Sequence, residues 1–261
     1  MSPVVDERCV ARQTSSRKSP TRKRPAKKSG RGGKAATPGL RARILRWIGR
    51  GALAVLAVLL LSLLYLRFFS PPTTYYMAAE AQRLGSIDHQ WVPLSEMDPS
   101  MPLSAVAAED ANFCQHWGFD MAAIRKALDD GGQRGASTIS QQTVKNVYLW
   151  QGRSWTRKAL EAILTPMAEA AWPKRRILEL YLNVAEFDEG VFGVDAAAFR
   201  YFRTSASELT PVQSARLAAI LPDPKDRSAA RPTDYIKKRT RQIMDGAATL
   251  RLDGRARCFA G

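Results

Sequence analysis

Three cysteines and two histidines in 261 residues leave little room for the chemistry those residues usually carry. None of them falls at the short spacings of a zinc site. Cys114 and Cys258 are too far apart in sequence to make a disulfide framework, which disfavours a bridge between them without deciding it, and Cys9 lies in a different region. No internal repeat is visible, which excludes a solenoid, and no run alternates convincingly enough for a strand, which disfavours an all-β domain. Acids are scarce at the N-terminus. Residues 1–50 carry fifteen Lys and Arg against two acids, a net +13 of the chain's +16, while residues 51–261 carry only +3. The basicity belongs to the tail and the remainder is nearly balanced.

That tail sets Arg22-Lys23-Arg24 and Lys27-Lys28 among Ser, Thr, Pro and Gly. It has too little apolar surface to offset chain entropy, and residues 1–46 read as a disordered basic segment. On charge alone it fits a nucleic-acid arm. An apolar run follows directly, from Gly51 to Leu66 without a charge and extended by Trp47-Ile48 and Phe68-Phe69. Residues 47–69 therefore read as a membrane anchor, and the tail as its cytoplasmic flank in contact with anionic lipid. No small-x-small cleavage site follows, so the anchor is expected to stay uncleaved, with residues 70–261 as a domain outside the cytoplasm.

The domain is expected to be mostly α. A helix is predicted from Ser104 as N-cap through Ala105 to Phe113, closed by Gly118, and another over Met121 to Leu128 before Gly131-Gly132. Thr138 and Gln141 have capping-box spacing; in the helix they open, Gln141 and Lys145 share one face and Gln142 and Asn146 a neighbouring one. A run from Thr156 to Ala170 contains Pro166, which should bend or split it. Pro173 starts a helix through Asn183 with apolar residues at 177, 178, 181 and 182. Thr210 and Gln213 form a second capping box, and Thr233 or Asp234 caps a last helix to about Leu250. Trp150, Trp155 and Trp172 are expected in the core.

Two polar, Gly-punctuated blocks carry the chemistry: Glu109-Asp110-Ala-Asn-Phe113-Cys-Gln-His116-Trp-Gly118-Phe119-Asp120, then Gly135-Ala-Ser137-Thr138-Ile-Ser-Gln141-Gln142-Thr-Val-Lys145-Asn146. Glu109 and Asp110 follow small apolar residues, and desolvation with a like-charged neighbour raises a carboxyl pKa toward the working range of a base. Spacing does not choose between a catalytic acid pair and two solvated or ion-paired acids. Lys145, Arg153, Arg157 and Lys158 cluster beside Glu161. Arg157 and Glu161, four apart, make either a surface ion pair or part of a site where fixed cations stabilise a diphosphate leaving group. His116 reads as a hydrogen-bonded structural residue.

These blocks resemble the first two motifs of the peptidoglycan glycosyltransferases. Arg153-Ser-Trp-Thr-Arg157-Lys158-Ala-Leu-Glu161 resembles the third, Arg176-Ile-Leu-Glu179-Leu-Tyr181-Leu-Asn183-Val-Ala-Glu186-Phe187 the fourth, and the segments around Tyr201-Phe202 and Leu209 to Ala219 the fifth. The resemblance covers roughly residues 75–250 and looks like the monofunctional Gram-negative form without transpeptidase activity. It implies a lysozyme-like α domain on the outer face of the cell inner membrane that polymerises lipid II by inverting transfer, making β-1,4 links and releasing undecaprenyl diphosphate. By motif position Glu109 corresponds to the general base, and Lys145, Arg153 and Lys158 to cations near the donor diphosphate. Glu161 corresponds to a second acid assisting the leaving group or its metal, while Ser137, Gln141, Gln142 and Asn146 line or brace the cleft. No cofactor is implied as obligatory, though a divalent Mg or Mn ion at the diphosphate is compatible. Implied partners are lipid II, the growing glycan, membrane lipid and other cell-wall synthesis and division proteins, with no nucleic acid. Two positions depart from the pattern. Asp188 and Arg203 stand where the family commonly has Gly.

The cations distinguish this reading from a glycan-cleaving enzyme, which needs carboxylates but has no use for a diphosphate site. Retention of Glu109 and Glu161 disfavours an inactive scaffold.

Overall fold

A computed structural model describes residues 39–131 and 135–260, apart from the side chain of Ala42. The disorder predicted for residues 1–46 lies outside the described residues up to 38, as does the break at Gly132; residues 40–46 are helical, contrary to expectation, because the helix of the apolar stretch runs back through them. The chain divides into two compact units, Met1–Gly49 and Arg50–Gly261. In the first, the described residues are helical from Leu40, the start of α1 (Leu40–Phe68). The stretch Arg43–Phe68 is long and apolar enough to cross a membrane.

Within the second unit the end of α1 is held by the domain. The indole of Trp172 donates to Leu63 O at 2.7 Å, Ser62 Oγ lies 3.0 Å from Tyr148 Oη, and Arg176 donates to Leu66 O and Phe69 O at 2.8 and 2.7 Å. Leu63 and Leu66 are buried while most of the helix before them is exposed. A guanidinium at these carbonyls also suits the negative end of the α1 dipole.

The domain continues with α2 (Tyr75–Leu84), N-capped by Thr74, then α3 (Ser100–Glu109) and α4 (Met121–Asp129), N-capped by Asp120. The third helix begins earlier than predicted: the Asp98 carboxylate takes the Ser100 N–H at 2.9 Å, leaving Ser104 inside and buried. It also ends earlier, at Glu109. Asp110 leaves helical geometry (φ −158°, ψ 69°) because its side chain is committed elsewhere.

Both capping boxes form, at Thr138/Gln141 for α5 (Ile139–Tyr148) and at Thr210/Gln213 for α9 (Pro211–Ile220). Between them run α6 (Trp155–Ala171), α7 (Lys174–Val184) and α8 (Val194–Phe202); α10 (Asp234–Leu252), capped by Thr233, follows. Pro166 does not split α6, which is one continuous helix. Ile177, Leu178, Tyr181 and Leu182 of α7 are all buried, as their spacing predicts. Three short strands, β1 (Asp88–His89), β2 (Glu186–Asp188) and β3 (Val191–Phe192), form a sheet in the order β1-β3-β2. At two or three residues each they are too short to leave a period-two signal. Trp172 is core, but Trp155 is 91% exposed and Trp150 partly so, contrary to expectation.

Helices α3, α9 and α10 pack together, and α5 lies between α6 and α7. Gly118 (φ 86°) packs against α6 and the start of α5: a Cβ there would come within 2.7 Å of Thr165 Cγ2 on α6, and its carbonyl accepts from Thr138 Oγ1 at 2.6 Å. Only glycine fits so closely with that backbone. Contrary to expectation, Cys114 and Cys258 are joined in a disulfide, which ties the segment after α3 to the residues after α10. Their separation of 144 residues explains why sequence reading did not pair them.

Candidate functional site

The two adjacent acids have different environments. Asp110 is 7% exposed and both its oxygens are engaged: Oδ1 lies 2.8 Å from His116 Nε2, and Oδ2 accepts from the Ile139 N–H at 3.0 Å. A carboxylate at the first turn of α5 satisfies an orphan amide and complements the helix dipole. Asp110 and His116 therefore brace the junction between α3 and α5.

Glu109, the last residue of α3, is half-buried. Among the described residues its carboxylate accepts a single hydrogen bond, from Gln142 Nε2 at 2.9 Å, and Gln142 Oε1 in turn accepts from Tyr181 Oη at 3.3 Å. Burial raises the Glu109 pKa; the Gln142 bond and then Arg239 oppose it, the Asp110 charge adds to it, and Arg227 opposes it. Arg239 is fixed nearby through Nη2, which donates to Ala108 O at 2.9 Å. The result is a carboxylate whose proton affinity is enhanced by desolvation, as a weak general base requires.

One turn further along α5, the Lys145 side chain makes no hydrogen bond or ion pair among the described residues. Burial lowers its pKa, followed by the repulsion of Arg157; Glu161 opposes this, Lys158 lowers it further and Glu109 opposes it too. Lys145 thus feels both acids and both α6 cations. Glu161 is 3% exposed and bridges Arg157 Nη1, at 3.1 Å, and Lys158 Nζ. Lys158 Nζ also donates to Ser137 Oγ at 3.3 Å. The expected Arg157–Glu161 pair is therefore buried on its acidic side and is not an isolated surface contact. Arg153, exposed in the turn before α6, makes no ion pair among the described residues.

A cleft of about 380 Å³ is lined on one side by Gln142, Lys145 and Asn146 and on the other by Tyr76, Glu186 and Lys225. Gln142 and Lys145 thus share the cleft-facing side of α5. Gln141 instead turns back, its Oε1 accepting from the Thr138 N–H at 3.0 Å within the capping box. Asn146 Oδ1 accepts from Gln151 Nε2 at 3.3 Å. Ser137, Lys158 and Glu161 form their own cluster at the start of α6, and neither they nor Arg153 line this cleft.

Tyr76, Glu186 and Lys225 were not singled out as site residues from sequence. Tyr76 Oη donates to Glu186 Oε2, and Lys225 Nζ lies 3.4 Å from Glu186 Oε1. Glu186 stands in the fourth quoted block, but Tyr76 and Lys225 come from distant segments that carry no local motif. Glu186 and the desolvating surroundings push the Tyr76 phenol well above its ordinary range, burial being the larger cause.

Among the described residues no group of three or more His, Cys, Asp or Glu side chains could hold a metal. Glu161, the acid implied to assist a metal, has both oxygens engaged by cations. This donor set does not fit a protein-ligated divalent ion.

Glu109 thus meets the Gln142 amide, with the desolvated Lys145 one turn along α5 and the Arg157–Glu161–Lys158 cluster at the start of α6. The family model described as transglycosylase matches residues 78–248. The chain belongs to the transglycosylase family. The matched span contains every site residue named above except Tyr76, which precedes it by two positions. A protein named biosynthetic peptidoglycan transglycosylase from Jannaschia sp. is 55% identical over 225 residues, covering 84% of this chain and 94% of the relative. A protein of that name from Xanthomonas campestris pv. campestris is 49% identical over 229 residues, 83% and 93% of the two chains. Another, from Caulobacter vibrioides, is 48% identical over 198 residues, 74% and 86% of the two chains.

Proposed function

We propose that this transglycosylase polymerises lipid II into peptidoglycan glycan strands. The observation that carries the reading is the difference between the paired acids: Asp110 is fully engaged in structure, while Glu109 is desolvated and faces Gln142 beside Lys145. In the proposed step Glu109 takes the proton from the C4 hydroxyl of the acceptor GlcNAc as that oxygen attacks the anomeric carbon of the lipid-linked MurNAc. The bond from that carbon to the diphosphate oxygen breaks on the opposite face, giving a β-1,4 link and undecaprenyl diphosphate. Fixed cations stabilise the charge that grows on the departing diphosphate. Lys145, one turn from Gln142, supplies one of these cations, and Arg153 and Lys158 extend the positive field toward the lipid-linked end.

Glu161 acts in this reading through its partners. Holding Arg157 and Lys158 in place, it is a positioning residue and not a proton donor or metal ligand. Gln142 orients Glu109, Asn146 contributes to the cleft wall, Ser137 anchors Lys158, and Gln141 fixes the start of the helix that carries them.

The proposal also assigns residues 1–46 to the cytoplasm, residues 47–69 to the inner membrane and residues 70–261 to the periplasm. The net +13 of residues 1–50 supports it, since such a flank resists translocation. Other cell-wall synthesis and division proteins are proposed partners of the membrane-bound enzyme. Incubating the purified chain with labelled lipid II tests the function. Polymer that a muramidase digests is expected; release of short fragments from preformed glycan, without polymer, would point instead to a cleaving enzyme.

A further inference from the structure

A second cavity, of about 590 Å³, lies away from the proposed catalytic residues, among the segment before α3, the start of α7 and the residues after α10. Its floor is apolar: Leu94, Met97, Leu103 and Phe259 are buried there. Its polar lining includes three arginines, Arg175, Arg251 and Arg257, and no Asp or Glu among the described residues. Among the described residues no carboxylate pairs with Arg251 or Arg257. The Arg257 guanidinium packs against Gly254, whose φ of 75° favours glycine in the turn after α10. Arg175 Nη1 donates to Phe259 O at 2.9 Å and ties the C-terminal segment to the cavity wall.

The location specifies the ligand. Arg175 is the chain neighbour of Arg176, whose guanidinium bonds Leu66 O and Phe69 O at the end of α1. The first turn of α7 therefore carries both a wall residue of the cavity and the side chain that holds the end of the candidate membrane helix. Positive charge over an apolar floor at a bilayer surface matches an anionic amphiphile, with the phosphodiester between the guanidinium groups and the first carbons of an acyl chain on Leu94, Met97, Leu103 and Phe259.

We propose that this cavity is a binding site for an anionic phospholipid of the surrounding bilayer. It rests on α1 lying in a membrane and not on the assignment of Glu109. The site would seat the domain against the bilayer through a specific lipid contact, separate from the diffuse attraction of the basic tail.

The test uses the full chain in nanodiscs of phosphatidylcholine with a minor fraction of phosphatidylglycerol carrying a photoactivatable acyl chain. Labelling is expected within residues 94–103 and 251–260. Arg251→Gln with Arg257→Gln should lower that labelling by roughly 30-fold, at about fivefold per cation near a bilayer surface, with melting temperature unchanged. If the double variant fails to fold, Arg251→Gln alone, at an exposed position, should lower labelling about fivefold. Labelling confined to residues 1–50, labelling insensitive to the substitutions, or equal labelling by a phosphatidylcholine probe would each overturn the proposal. So would displacement of the probe by a stoichiometric polyprenyl diphosphate, which would assign the cavity to substrate or product.

Discussion

Gln142 Nε2 donates to Glu109 Oε2 at 2.9 Å, the single bond that balances the burial of that carboxylate. It stabilises the ionised form, while desolvation favours the protonated one, and burial is the larger effect. Gln142→Leu removes the opposing bond and should raise the Glu109 pKa further. The acidic limb of the kcat–pH profile should move to higher pH, with KM for lipid II little changed. An unmoved limb would show that Gln142 does not tune the base.

The same burial has a stability consequence. Because the folded protein holds the Glu109 proton more tightly than the unfolded chain, its ionisation costs stability as pH rises past the ordinary value of 4.5 and through the raised one. Glu109→Gln should therefore melt above wild type at pH 8, with the difference closing below pH 4.5, where both forms of the site are neutral. Thermal melts at the two pH values measure this.

Lys145 has the opposite sign. Its folded pKa lies below the ordinary 10.5, so its charge costs stability at all pH values below the lowered one, and the cost fades as pH approaches 10.5. Lys145→Met should raise the melting temperature at pH 7 and do so less at pH 10.5. It should also weaken donor binding and slow transfer, because the diphosphate is charged before it leaves and more so as it leaves. Wild-type kinetics in this variant would remove Lys145 from the substrate site.

Arg203 caps α8 in the left-handed conformation, φ 57° and ψ 38°, the single non-glycine residue with positive φ among the described residues. Glycine takes that backbone without the Cβ penalty. Arg203→Gly loses the contact with the Phe199 ring at 5.1 Å but should still gain about 0.5–1 kcal/mol in chemical denaturation. Activity should not change.

The Cys114–Cys258 disulfide closes a loop of 144 residues. Replacing both cysteines with serine should cost about 2–5 kcal/mol, read from denaturation in the absence and presence of reductant. Reductant should destabilise wild type and leave the variant unaffected.

Local chemistry was legible in the sequence, and contacts between distant segments were not. Thr138 with Gln141, and Thr210 with Gln213, declare their helices because each box closes within four residues. The choice between Glu109 and Asp110 was not available, because it is made by the Ile139 amide, 29 residues on, and by His116. Ser104 reads as a cap in the sequence because nothing nearby announces that Asp98 already serves Ser100. Tyr76 and Lys225 reach Glu186 from opposite ends of the domain, so no spacing rule could assemble that side of the cleft. The blocks resembling a glycosyltransferase carried the family correctly because they are contiguous.

The most direct test of the central claim, that Glu109 takes the acceptor proton, is the single-turnover rate of glycan elongation from lipid II by Glu109→Gln enzyme beside wild type, with lipid II affinity measured in parallel. General base catalysis contributes roughly 10²- to 10⁴-fold, so the rate should fall by about that factor while binding and fold are retained. A variant that keeps more than about a tenth of the wild-type rate would contradict it, since that loss is too small for a missing general base.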